Sequence, residues 1–190
     1  ANIPVAIDDQ VQCVYKDSLI YIVTGWSNTG NVNNVQIYDT YNDTWQVGTS
    51  VPNTNDYRVF GSNGTIVNDT IYYYGGATMG FNFPVLPALR IGVIDANSPL
   101  GINWLPVQFY NGHPLYRSVG ILNPNKLISF LGGSSASYNY DGLAYQGGVG
   151  VNPANEQVIY DPVTSQFTSD KTQSYPMDLR GLASLNSNTK

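Results

Sequence analysis

Three arginines stand at related points of the chain. Arg58, Arg117 and Arg180 lie 59 and then 63 residues apart, each shortly before an apolar run. A guanidinium stays charged at any relevant pH and grips a carboxylate with two parallel hydrogen bonds. Side by side, three of them would repel one another when empty and hold an acidic ligand. Each is equally suited to donating to backbone carbonyls of a neighbouring structural unit, and both roles are open. His113, in Gly112-His113-Pro114, is the sole histidine. It is a candidate ligand contact. No Gly-x-Ser-x-Gly elbow accompanies it, which argues against a Ser-His-Asp hydrolase.

A second group of candidates lies in the stretch 134–155, where Tyr138, Tyr140 and Tyr145 flank Gly147-Gly148. Aromatic side chains on a flexible loop offer faces on which sugars or peptides stack. No Gly-Lys-Ser/Thr follows, so the glycines do not form a phosphate loop. Asn139-Tyr140-Asp141-Gly142 lacks the spaced acidic ligands and closing Glu of a calcium loop. Cys13 is the single cysteine, which excludes an internal disulfide and reads as a buried filler. No cofactor and no metal are expected. Asn42-Asp43-Thr44, Asn63-Gly64-Thr65 and Asn68-Asp69-Thr70 match the glycosylation sequon, although Asn-Asp and Asn-Gly are also what tight turns require.

Composition narrows the partners. With 8 basic against 13 acidic residues the net charge is −5, so the broad positive surface needed for nucleic acid is missing. No apolar run reaches 18 residues, so no membrane span is expected. The first residues, Ala1-Asn2-Ile3-Pro4, show no signal-peptide pattern. Scarce Lys with abundant Asn, Thr and Tyr points to a secreted or extracytoplasmic setting, in the periplasm or at the cell surface. The 15 tyrosines and 11% charged residues suit half-buried strands and polar turns rather than amphipathic helices.

The elements that must position these candidates repeat. An apolar run ending in Gly occurs at Leu19 to Gly25, Thr70 to Gly76 and Leu127 to Gly133. An apolar stretch closed by Asp follows at Val35 to Asp39, Ile91 to Asp95 and Gln157 to Asp161. An aromatic residue comes a short turn later, at Trp45, Trp104 and Phe167. Such phased repetition marks a repeat architecture, with each unit reading as four short strands. The pairs Gly75-Gly76 and Gly132-Gly133, with Tyr38-Asp39, Tyr160-Asp161-Pro162 and Trp45, resemble the Kelch motif. Trp26, Ile94 and Phe167 depart from it.

The resemblance implies an all-β fold, a Kelch-type β-propeller segment of four-stranded antiparallel blades from a six- or seven-bladed propeller. The expected units are 11–52, 58–109 and 117–170, with a fourth beginning at 179–190. The remaining blades would come from missing sequence or another chain. In that frame Gly25, Gly75 and Gly132 should end the second strand of three successive sheets. Strand direction then gathers Arg58, Arg117, Arg180, His113 and the long loops 77–89 and 134–155 on one face.

The expected function is an extracytoplasmic binding module whose loop face takes a protein or carbohydrate ligand, with the arginines pointing to an acidic one. The alternative is a Kelch-type epimerase or mutarotase acting on an acidic sugar such as sialic acid, for which no carboxylate is clearly placed to act with His113. A copper oxidase of the Kelch-like kind needs two His ligands, which this stretch cannot supply.

Overall fold

Burial alternates along 11–15, where β1 (Val11–Tyr15) buries Val11, Cys13 and Tyr15 while Gln12 and Val14 face outward, the period of a half-buried strand. The computed structural model of the chain describes residues 1–170; Arg180 and the expected fourth unit lie outside the described residues. Following β1 come β2 (Leu19–Val23), the short β3 (Trp26–Ser27) and β4 (Gly30–Asn31), β5 (Val35–Asp39) and β6 (Thr44–Val47). Next are β7 (Asn63–Val67), β8 (Thr70–Tyr74), β9 (Ala88–Asp95), β10 (Ser98–Trp104) and β11 (Gln108–Phe109). The last are β12 (Val119–Leu122), β13 (Ile128–Leu131), β14 (Gln157–Asp161) and β15 (Gln166–Asp170).

These strands form three antiparallel sheets, ordered β1-β2-β5-β6, β7-β8-β9-β10 and β12-β13-β14-β15, with β11 added against β9 and β3-β4 as a separate hairpin. Among the described residues there is no helix, and none long and apolar enough to cross a membrane. The first strands β1, β7 and β12 lie side by side. Gly64 and Gly120 make this approach close, since a Cβ on Gly120 would stand 3.1 Å from the backbone of Gly64.

Two apolar cores lie between successive sheets. One joins Val11, Tyr21, Val35 and Ile37 of the first sheet to Ile71, Tyr73, Ile94 and Ile102 of the second. The other joins Tyr74, Leu89 and Ile91 to Ile128, Phe130, Val158 and Tyr160. The abundant tyrosines are pegs across these seams. Tyr15 donates to Asp69 Oδ1 at 2.5 Å, Tyr21 to Pro99 O at 2.6 Å, Tyr74 to His113 O at 2.8 Å, and Tyr57 to Leu105 O. The ring supplies buried area and the hydroxyl finds its partner in the next unit. Trp104 packs on the first core and donates to Thr49 O, and Phe167 stacks on Tyr110 at 4.8 Å in the second.

The end of each second strand shows the true register of the repeat. Gly75 and Gly132 directly follow β8 and β13, while Thr24 stands between β2 and Gly25. Thr24, Gly75 and Gly132 donate to Asn34, Ala88 and Glu156 carbonyls, and Gly25, Gly76 and Gly133 accept from Val32, Leu86 and Ala154. Thr24-Gly25, rather than Gly25-Trp26, is therefore the counterpart of the two glycine pairs. All of these residues have positive φ, which a β-branched side chain resists. Thr24, at φ 51°, is held there by its hydroxyl, which lies 2.8 Å from Val32 O, 3.0 Å from Val59 O and 3.1 Å from Val59 N.

Gly75 has a stricter reason. A Cβ there would meet Leu115 O at 2.0 Å. Gly75→Ala should therefore destabilise by about 2 kcal/mol or more, roughly 5 °C in Tm. Gly150→Ala, where a Cβ meets nothing within 4 Å among the described residues, should leave the melting curve within a degree or so. Equal melting of the two variants would contradict the packing at Gly75.

Cys13 is 5% exposed, and burial pushes its thiol up from 9.0 to about 12. The unfolded chain releases this proton near pH 9 while the folded chain keeps it, so stability falls as pH rises between 9 and 12, by about 1.4 kcal/mol per unit at most. Denaturant titrations across this range should show a shallower alkaline loss for Cys13→Ala than for the parent.

Candidate functional site

The site begins where the chain enters each sheet. Asp8, Phe60 and Tyr116 each pair in antiparallel fashion with the residue after the positive-φ turn of their own unit, namely Trp26, Ala77 and Ser134. The next residues, Asp9, Gly61 and Arg117, are thus equivalents. All three have positive φ, at 48°, 62° and 56°. They are chained through the backbone, Gly61 N–H donating to Asp9 O at 2.7 Å and Arg117 N–H to Gly61 O at 2.6 Å. Gly61 carries no side chain because the Tyr116 ring passes over it, leaving 2.1 Å for a Cβ.

Across that gap Arg117 and Asp9 meet. Arg117 Nε donates to Asp9 Oδ1 at 3.2 Å and Nη2 to Oδ2 at 2.6 Å. The guanidinium lies 5.0, 4.9 and 5.8 Å from the ring centroids of Tyr116, Tyr138 and Tyr140, an arrangement in which the ring faces attract the cation. Tyr116 donates to Asp9 Oδ2 at 3.2 Å, and Tyr140 to Asp8 Oδ2 at 2.6 Å. Burial opposes the charge on Arg117, but the Asp9 contact, together with Tyr116 and Tyr138 beside it, more than offsets burial and holds the guanidinium more firmly protonated than usual. Burial, with Asp9 beside it, pushes the Tyr116 hydroxyl far above its ordinary range. Arg117 Nη1 is buried and has no hydrogen-bond partner among the described residues.

The two long loops complete this face. Ser137 donates to Phe83 O at 2.6 Å and Asn82 O at 3.2 Å, and Phe83 packs edge-on against Tyr145 at 5.0 Å. Beneath them Phe60, Ala77, Tyr116 and Tyr138 form a small core with Trp26, Phe83, Val85 and Val151 around it. Asn139 Oδ1 accepts from Asp141 N and Leu143 N. Residues 139–142 thus form a tight turn with Tyr140 at its tip, 77% exposed. Phe81 is 92% exposed on the other loop. The cavity under the turn, lined by Gly133, Ser134, Tyr138, Gly142, Val151 and Pro153, measures about 30 Å³, room for about one water. Among the described residues no group of three or more His, Cys, Asp and Glu could hold a metal.

The candidates from the sequence divide. Arg117, Tyr138 and Tyr140 come together, and Tyr145 joins through Phe83. Arg58 is not the equivalent of Arg117. Gly61 holds that register position, and Arg58 Nη2 bonds Asn55 Oδ1 at 3.0 Å instead. The two arginines share a residue type but stand three positions out of phase in their units. The backbone-clamping role open to the arginines is filled by Arg90, fully buried and donating to Asp56, Gly75 and Ala88 carbonyls. His113 has a carboxylate neighbour after all, its Nδ1 2.9 Å from Glu156 Oε2. Asp8, Asp9, Tyr116 and Glu156 went unremarked in the sequence. The Asp pair sits ahead of the first motif, and only the bridge Asp8–Trp26 reveals that it belongs to the first unit.

No protein-family model matches the chain, and no curated protein matches it.

The Asp9–Arg117 pair is short, forked and partly buried, with side chains 25% and 7% exposed. A double-mutant cycle of Asp9→Asn and Arg117→Met, read by urea unfolding, should give a coupling of about 1–2 kcal/mol, between the values of surface and buried pairs. A coupling near zero would remove the pair from the structural account.

Proposed function

We propose that the three sheets are consecutive blades of a Kelch-type propeller, and that the chain acts outside the cytoplasm as a binding module whose loop face takes a protein or carbohydrate ligand. The adjacency of β1, β7 and β12 and the repeated turn register support the propeller reading. The observation that carries the binding reading is the pair of interlocked loops 77–89 and 134–155. They gather the Asp8, Asp9, Arg117 and Tyr138 cluster beneath them and still leave Phe81 and Tyr140 in solvent. Exposed aromatics beside fixed polar groups are the makings of a recognition surface.

Arg117 argues against the acidic ligand first expected, since its fork is closed on Asp9. A second reading, the epimerase acting on an acidic sugar, is favoured by His113 beside Glu156, an acid/base pair at 2.9 Å. Binding is preferred because the guanidinium that would hold the sugar's carboxylate is already taken.

The loop face and the opposite end can be compared directly. Screening against immobilised oligosaccharides and a displayed peptide library should yield ligands whose binding is lost in the double variant Phe81→Ala/Tyr140→Ala. Tyr41→Ala, equally exposed at 84% in the β5–β6 turn, should bind as the parent does. Ligands lost with Tyr41 and kept without Phe81 and Tyr140 would place recognition elsewhere.

A further inference from the structure

The polar groups of the loop face discriminate among ligand classes. Two carboxylates, Asp8 and Asp9, confront one guanidinium, and its fork is spent on Asp9. An arriving carboxylate would meet like charge at both aspartates. A hydroxyl meets no such conflict, because it donates to a carboxylate through its proton and accepts from a guanidinium through its oxygen. The structure already contains one such bond, from the Tyr140 hydroxyl to Asp8 Oδ2 at 2.6 Å. Beneath Tyr140, Arg117 Nη1 is buried, on a side chain only 7% exposed, with no acceptor among the described residues. A charged donor left bare is costly, and any acceptor brought to it is rewarded.

We propose that this site binds a neutral saccharide, with a sugar hydroxyl taking the place of the Tyr140 hydroxyl on Asp8. A neighbouring sugar oxygen then accepts from Arg117 Nη1, and the apolar C–H face of the sugar ring rests on the displaced Tyr140 ring. Displacement is easy because Tyr140 is 77% exposed at the tip of the 139–142 turn. Among the described residues it is tied by the hydroxyl bond to Asp8 and the cation contact at 5.8 Å. The inference rests on the loop face being the binding surface, and names the ligand that surface takes.

The test uses the whole chain and a panel of neutral gluco-, manno-, galacto- and xylo-oligosaccharides beside sialylated and uronic-acid ones, followed by calorimetry with the best neutral binder. Tyr140→Phe keeps the ring and removes the competing hydroxyl, so it should tighten binding several-fold. Asp8→Asn should weaken it roughly tenfold or more, the loss of a charge-assisted hydrogen bond. Tyr140→Ala should weaken it through the lost ring face. Tyr140→Phe and Tyr140→Ala change an exposed side chain, and their melting curves should match the parent, which separates binding from folding. Binding confined to acidic sugars, or weakened by Tyr140→Phe, overturns the proposal. If basic peptides bind in place of sugars and are lost with Phe81→Ala, the saccharide assignment fails while the loop face remains the binding surface. If no ligand depends on Phe81 or Tyr140, both fail.

Discussion

Everything in this protein hangs on a hydrogen bond between successive units. At the end of β2 and β8 the chain takes two residues of positive φ, and the second donates its N–H to the segment entering the next sheet: Gly25 to Val59 O at 3.0 Å, and Gly76 to Leu115 O at 2.8 Å. A single extended backbone could not turn that donor outward. Once it is turned, Phe60 and Tyr116 fall into bridge pairing, and the positions of Gly61 and Arg117 are fixed one residue later. The polar cluster is therefore a by-product of how the sheets are joined. Arg117 reaches Asp9 because the two occupy the same place in different units with a bare glycine between them.

The tyrosines carry the same logic into the core. A phenylalanine of nearly the same bulk would fill the seam and say nothing about register, whereas a buried hydroxyl must find an acceptor or lose about a kcal/mol or more. Tyr15, Tyr21 and Tyr74 each find theirs in the following unit. Sliding the first sheet along the second by a single residue would orphan Tyr15 and Tyr21 together, so these pegs convert nonspecific apolar burial into a defined stacking. Arg90 performs the same service with a charge, joining β9 to the link at Asp56 through backbone carbonyls alone.

Strand content and phase were legible in the sequence because burial with period two and a recurring Gly–Asp–aromatic order are written in local residue types. The long loops and the tyrosines on 134–155 were legible for a similar reason, as interruptions too long for a turn. The register of the entry segments was not. Thr24 does the work of a glycine by spending its hydroxyl on Val32 and Val59, and no rule of composition marks a threonine as a substitute for glycine. Arg58 imitates Arg117 in type without sharing its position, and Asp9 shares the position without the type. Pairing of Glu156 with His113 depends on a loop closure spanning the intervening β12, β13 and long loop, which residue spacing alone does not encode.

The stems of the three excursions after the second strands are alike, closed by Gly25–Val32, Gly76–Leu86 and Gly133–Ala154 bonds, yet they enclose 6, 9 and 20 residues. For a flexible chain, stretching such an excursion from 6 to 20 residues costs only about 1 kcal/mol in closure entropy. Length at this point is nearly free to vary while the sheet beneath stays unaltered. The molecule is thus divided into a conservative frame and interchangeable inserts, and a change of specificity can arrive as a transplanted loop, with no renegotiation of the sheets that bear it.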